Sequence, residues 1–299
     1  MSEYVILTDS ASDLPDKLVK ELEVSVLPIV YNLEGKEYKN LSDHSEYPIK
    51  QFYQTIAGGA QVSTSALNQS DIREFIEPYV KDGKDVIYLA FSSGLSSIYQ
   101  NACIVVRELG VEYPDRKIAV IDSRCASLGF GLYVYLCAQK KKSGMGYDEM
   151  LTYAEELKQQ ICHEFTVDDL GQLKRGGRIS PATAFFGSML QIKPVLYVSP
   201  EGKLIPYAKV RGRNASVKML ADKIIAEANR ESETPVFIGH GDCADDAEAL
   251  KDMIKKALPD KKFMIDNIGP VIGAHSGYKT LAVFCVAKDR GAEREKGSK

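Results

Sequence analysis

Along the chain, short apolar runs alternate with longer segments whose apolar residues recur every three or four positions, the pattern of strands feeding helices. In the first half, residues 4–8, 24–33, 85–91 and 117–121 read as strands. Helices are predicted over 14–23, 49–56, 72–80, 99–109, 126–141 and 147–162. Pro15 just inside the first of these, with Ser12 and Asp13 ahead of it, is an entry signal. Ser70 or Asp71 is expected to cap the helix at 72–80.

From about residue 163 the pattern changes. Strands are predicted at 164–167, 193–199, 204–210, 236–240, 263–268 and 281–287, and helices at 168–173, 181–190, 216–229 and 244–258. Pro200-Glu201-Gly202 joins two of the strands as a hairpin turn. Hairpins mixed with crossovers imply a mixed sheet in a two-layer α/β domain. The glycine-flanked run 269–277 reads as a loop, and the charged residues beyond about Lys288 are expected to fray.

With 299 residues and 44% hydrophobic content, the chain has length for two domains. The expected division is 1–162, 163–290 and a charged tail 291–299. A net charge of -3 gives no reason to expect nucleic acid as partner. Six cysteines without a C-x-x-C pair fit reduced, buried thiols in a cytoplasmic protein. The N-terminus lacks a signal pattern, and the most apolar segment, 126–138, is too short and glycine-interrupted to span a bilayer.

Candidate chemistry gathers at strand-to-helix junctions. Ser92-Ser93-Gly94-Leu95-Ser96-Ser97 follows the strand at 85–91 and precedes a helix, a place suited to an anion. It has neither a Walker lysine nor a dinucleotide glycine spacing, and taken alone it reads first as a serine-capped helix start. A second hydroxyl cluster leaves Thr64 and Ser65 without a structural task, so the two clusters are able to converge on one small anion. Asp9 and Asp13 are candidate paired carboxylates, although capping accounts for Asp13. His275 is the most suggestive histidine, in its glycine-flanked loop, and His240 is a secondary candidate; His44 and His163 have bland surroundings. No metal-binding spacing is present. Ser96, His275 and Asp122 would compose a hydrolase triad, but no G-x-S-x-G elbow accompanies them. Arg178, in the basic loop 174–180, is either a solvated charge or a clamp for a carboxylate or phosphate. Gly129 and Gly131 allow close helix packing.

Taken together and in order, several segments resemble the DegV family of bacterial fatty-acid-binding proteins: Thr8-Asp9-Ser10-Ala11-Ser12-Asp13-Leu14, Thr64-Ser65, 92–100, Asp122-Ser123, 173–180, Lys193-Pro194-Val195-Leu196 and Gly269-Pro270-Val271-Ile272-Gly273-Ala274-His275. The resemblance implies a three-layer N-terminal α/β domain with a parallel sheet and a C-terminal domain on a mixed six-stranded sheet. It implies a long-chain fatty acid whose carboxylate is bound by Thr64 and Ser96 with Ser65 and Ser97 beside them, and by His275 and Arg178. It further implies a carrier that is not itself a catalyst, with no cofactor and no metal, presenting the acid to a fatty-acid kinase that forms an acyl phosphate for phospholipid synthesis. The chain departs from the family at Ser97, at Ala66-Leu67, and at Tyr278-Lys279. The apolar residues 184–190 are expected in the tunnel lining.

Overall fold

The computed structural model describes residues 3–168, 170–179, 191–288 and 290. The predicted helix at 181–190, the guessed tunnel residues within it, Ser180 and the tail 291–299 lie outside the described residues.

The first half is built on a parallel sheet ordered β2-β1-β6-β7, from β1 (Tyr4–Asp9), β2 (Ser25–Leu27), β6 (Asp85–Ala90) and β7 (Ile118–Asp122). The single strand expected at 24–33 is split. Beyond Pro28 the chain leaves that sheet as β3 (Val30–Leu33), which pairs antiparallel with β4 (Lys36–Lys39) and β5 (Val62–Thr64). Ile29 bridges the break by donating its amide to Ser10 Oγ at 2.9 Å.

Helices α1 (Asp16–Leu22), α2 (Ile49–Ala57), α3 (Gln69–Lys81), α4 (Ile98–Glu112), α5 (Ser127–Lys142) and α6 (Tyr147–Leu157) fill the connections. Two caps differ from expectation. Asn68, in a capping box with Asp71, starts α3, because it lies one residue before the first helical turn while Ser70 and Asp71 lie inside it. Pro15 stands at the N-cap of α1 without a side-chain bond, and Asp13 instead accepts the Ser127 hydroxyl at 2.6 Å.

The second half is a mixed sheet ordered β10-β9-β8-β13-β11-β12. Its strands are β8 (Ile161–Thr166), β9 (Ile192–Val198), β10 (Leu204–Arg211), β11 (Val236–His240), β12 (Phe263–Asn267) and β13 (Leu281–Val286), with only β11 and β12 parallel. Strand β8 begins where α6 was expected to continue. Helices α7 (Gly171–Arg175), α8 (Arg213–Glu227), α9 (Ala244–Ala257) and α10 (Pro270–Ser276) complete it. Helix α10 occupies the run read as a loop, with Pro270 at its first turn and Gly277, at φ +88°, ending it. The fold class is thus the expected one, with a parallel first sheet and a mixed six-stranded second sheet.

Helix α5 joins the halves. It touches the Ser10–Ser12 turn on one side and β8, β11 and β13 on the other, so nearly its whole first three turns are buried and it shows no polar face there. Its glycines set the approach. A Cβ on Gly129 would stand 2.4 Å from His163 Nε2 and 2.5 Å from Phe284, and one on Gly131 would stand 2.6 Å from the Ser12 carbonyl oxygen. One apolar core therefore runs from the first sheet through α5 to the second, while a separate one fills the far face of the second sheet under α8 and α9.

The expected fraying after Lys288 does not extend to Arg290. It is 2% exposed, and its guanidinium donates to the carbonyls of Arg124, Val198 and Lys158 at 2.7, 3.0 and 3.2 Å. A buried guanidinium is tolerated here because carbonyls from three segments accept hydrogen bonds from its N–H groups.

Replacing Gly131 by Ala should destabilise the protein by about 1–3 kcal/mol, since overpacking against a backbone oxygen outweighs alanine's helix advantage of about 1 kcal/mol. Gly110→Ala in α4, where nothing lies within 4 Å of the added carbon, should instead stabilise by about 0.5–1 kcal/mol. Urea midpoints compare the two; a raised midpoint for Gly131→Ala would contradict the close approach of α5 to the Ser12 carbonyl.

Candidate functional site

A cavity with about 830 Å³ of atom-free space, part of it open to solvent, lies between the two halves. Thr64 and Ser65 from the end of β5 line it, as do Leu95 and Ser96 from the loop before α4. From the second half come Arg178, past the end of α7, and His275 and Ser276 in the last turn of α10. The rest of the wall is mainly apolar, with Phe91, Ile98, Phe165, Val271, Ala282 and Phe284 among it. The division into an apolar body with few polar groups is that of a small-molecule site.

Thr64 Oγ1 and His275 Nε2 are 2.8 Å apart, a hydrogen bond between the two halves. His275 packs against Gly176, where a Cβ would stand 2.3 Å from Nδ1, so the glycine makes room for the ring. Burial, and then the positive Arg178, push the His275 pKa down to about 4, so the ring is neutral near pH 7. Arg178 is itself lowered by burial; its Nε donates to the Leu95 carbonyl at 3.2 Å and its Nη1 to Gly176. The bond to Leu95 ties the basic loop to the serine loop.

The serine loop is held in place by neighbouring groups. Asp122, at the end of β7, accepts the Ser93 amide at 3.0 Å and the Ser93 hydroxyl at 2.5 Å. Ser92 donates to the Gly202 carbonyl at 2.9 Å, which anchors the β9–β10 hairpin turn over the loop. Among the described residues Ser96 Oγ accepts only a long 3.4 Å bond, from the Ile98 amide. Ser97, the N-cap of α4, makes no side-chain cap bond, is exposed, and stands outside the cavity lining. So Thr64, Ser65, Ser96, Arg178 and His275 are brought to one cavity, and Ser97 is not.

The other candidates have structural employment. Asp9 accepts from the amides of Ala11 and Phe91 at 3.1 and 2.9 Å and from the Tyr88 hydroxyl at 3.2 Å. Burial outweighs these donors and pushes its pKa up to about 7. Among the described residues no hydrogen bond joins Ser96 to His275 or His275 to Asp122, so the triad is not assembled. His240, at the end of β11, does not line the cavity.

Three further lining residues are not singled out by the sequence. His163 donates from Nδ1 to the Ile161 carbonyl at 2.9 Å and accepts the Ala126 amide on Nε2 at 3.3 Å, which fixes its neutral tautomer. Burial lowers its pKa well below the ordinary value. Ser127 faces the same wall with its hydroxyl committed to Asp13. Ser276 lies beside His275, and its buried hydroxyl has no partner among the described residues; the Gly-Ala-His-Ser-Gly run was its only signal. Outside the cavity a polar groove is lined by Gln172, Arg175 and Tyr278 and shares Thr64, Arg178 and His275 with it. Among the described residues no helix is long and apolar enough to cross a membrane.

The DegV family, described as one of uncharacterised proteins, matches residues 3–288. A DegV domain-containing protein of Clostridium perfringens is 46% identical over 284 residues, 95% of this chain and 97% of that protein. The structure is similar to that of a DegV family protein from Thermus thermophilus, described by its fatty-acid binding. Identity is 28%, the TM-score is 0.84, and 96% of this chain and 100% of that one are covered. It is similar also to a DegV lipid-binding protein from Thermotoga maritima, at 26% identity and a TM-score of 0.84, over 96% of this chain and 99% of that one. The ordered motifs, the paired sheets and these likenesses agree, and the chain belongs to the DegV family.

Proposed function

We propose that this protein binds a long-chain fatty acid in the cavity between its halves, with the carboxylate at Thr64, Ser65, Ser96, Arg178 and His275. The observation that carries this reading is the convergence of Thr64, Ser96, Arg178 and His275 on one mainly apolar cavity. A carboxylate leaving water needs charge-assisted hydrogen bonds, each worth about 1.5–3 kcal/mol. Hydroxyls, a neutral imidazole and a guanidinium provide them, and the free Ser276 hydroxyl is a further donor. Burial of the acyl chain contributes about 0.8 kcal/mol per methylene, on the order of 10 kcal/mol gross for a long chain. The tail thus dominates affinity and the polar cluster sets orientation.

In the same reading the protein is a cytoplasmic carrier whose bound acid is phosphorylated by a separate kinase. The groove outside Thr64, Arg178 and His275 supports it, since it leads from the surface to the carboxylate end and carries Gln172 and Arg175 for a partner's use. Six free thiols fit a reducing compartment. We assign the units as 1–162 and 163–290, a division close to the turn at 158–160 that precedes β8.

Protein purified from cells should release a long-chain fatty acid on organic extraction, detected by mass spectrometry. Replacing Thr64 and Ser96 together by Ala should lower affinity for added acid by about a hundredfold to ten-thousandfold, from the loss of two bonds of about 1.5–3 kcal/mol each. Recovery of no acid, or undiminished occupancy in the double variant, would overturn the reading.

His275 supplies a pH test. Its native pKa, about 4, lies below that of an unfolded histidine, about 6.5. The unfolded chain therefore binds more protons between these values, and the native state loses stability as pH falls from about 6.5 to about 4. The stability advantage of the wild type over His275→Gln should shrink across that window in urea titrations of the ligand-free protein. A constant difference would place the native pKa near its ordinary value.

A further inference from the structure

A second, polar pocket lies between the halves, at the carboxyl ends of β1 and β12, and the lipid-binding reading does not use it. The turn after β1 lines it with Ser12 and Asp13, the segment after β4 with Asn40 and His44, and β12 with Asp266 and Asn267. It holds about 400 Å³ of atom-free space, part of it open to solvent. Ser127 stands between it and the lipid cavity, lining that cavity while its hydroxyl donates to Asp13 Oδ2 at 2.6 Å.

The pocket gathers polar atoms that nothing in the chain answers. Seven buried side-chain nitrogen or oxygen atoms among the described residues have no hydrogen-bond partner. Three of them, Ser12 Oγ, Asp13 Oδ1 and His44 Nδ1, belong to residues that line this one pocket. Ser12 is 0% exposed. A Cβ on Gly269 would stand 2.5 Å from Asp13 Oδ1, so the glycine leaves that oxygen uncovered. Buried polar groups are nearly always paired, and three such atoms around one space call for a ligand or ordered water.

Charge decides between the two. Asp13 and Asp266 line the pocket, and no lysine or arginine does. Asp266 Oδ1 accepts the Asn267 backbone and side-chain amides at 2.7 and 3.5 Å, which add no positive charge. Burial, which outweighs the Ser127 and Gly269 donors, pushes the Asp13 pKa up to about 8, and Asp266 adds to the rise. Water leaves that cost standing, whereas a cation removes it. Spacing then selects the cation. Asp13, His44 and Asp266 do not all lie within 4.8 Å of one another, the condition for a shared metal ion. Hydrogen bonds of about 2.7–3.2 Å hold acceptors farther apart than metal–oxygen bonds of about 2.0–2.6 Å do. A primary ammonium has three N–H donors and no acceptor, and each of the three unpaired atoms is able to accept. Burial lowers the His44 pKa, which keeps its ring neutral and its Nδ1 available.

We propose that this pocket binds a primary ammonium group through Ser12 Oγ, Asp13 Oδ1 and His44 Nδ1, with Asp266 adding negative charge. Two sources carry that chemistry, a free small amine and the lysine side chain of a partner protein.

Calorimetric titration of the full-length protein at about pH 8, where Asp13 ionises, tests it with three probes. Ethanolamine represents the free amine, Nα-acetyl-lysine methylamide the lysine, and tetramethylammonium the same charge without N–H donors. At least one primary ammonium should bind saturably, and tetramethylammonium about tenfold or more weakly. Binding of ethanolamine assigns a free amine, and binding of the lysine derivative alone assigns a partner's side chain. Asp13→Asn and Ser12→Ala should each weaken the bound probe about tenfold, while Ser143→Ala, outside the pocket, leaves it unchanged. Should Asp13→Asn fail to fold, Ser12→Ala and the tetramethylammonium comparison decide. Saturable binding of neither primary ammonium would show a pocket filled by water alone and overturn the proposal. Equal binding of tetramethylammonium, or undiminished affinity in the folded variants, would overturn it as well.

Discussion

The distance between the two sheets is set by a helix that has no polar face in its first three turns. Helix α5 is squeezed between the Ser10–Ser12 turn and the strands of the second sheet, and at Gly129 and Gly131 it has no side chain to hold them off. Because α5 begins at Ser127, beside Ala126, its first turn also forms part of the cavity wall. The packing that joins the halves and the shape of the space between them are therefore one constraint. A bulkier helix would move the sheets apart and with them the loops that meet across the cavity.

What those loops bring together follows from the topology. The parallel sheet delivers the serine loop at the end of β6, and the small antiparallel sheet delivers Thr64 at the end of β5. The second half answers with α10 and the loop after α7, placing His275 and Arg178 on the same opening. Two bonds cross the gap, Thr64 to His275 and Arg178 to the Leu95 carbonyl, so the polar end is organised before any ligand arrives. A neutral imidazole next to a charged guanidinium leaves one positive charge there, matched to one carboxylate.

Much of this was legible in the sequence, and what was hidden has physical reasons. Short apolar runs exposed β9, β10 and β11, with the Pro200-Glu201-Gly202 turn joining the first two, and the ordered motifs pointed to Thr64, Ser96, Arg178 and His275. The three-stranded sheet was not visible because β5 is three residues long and its polar Ser63 and Thr64 resemble a loop. Helix α10 hid behind its glycines, which suit close packing against Phe52 and Tyr53 as well as they suit a turn. Serine caps were overread. Ser97 caps nothing with its side chain, and Asn68 took the place assigned to Ser70 or Asp71. His163, Ser127 and Arg290 owe their positions to contacts between segments far apart in the chain, for which local pattern carries no signal.

The central claim concerns which end of the cavity receives the polar head. It is tested most directly by a crystal structure with a long-chain acid brominated at its terminal carbon, located by anomalous scattering. The account predicts the bromine near His163 and Phe284, with carboxylate oxygens within hydrogen-bond distance of Thr64 Oγ1 and the Arg178 guanidinium. A bromine at the Thr64–His275 opening, or an acid bound elsewhere on the protein, would contradict it.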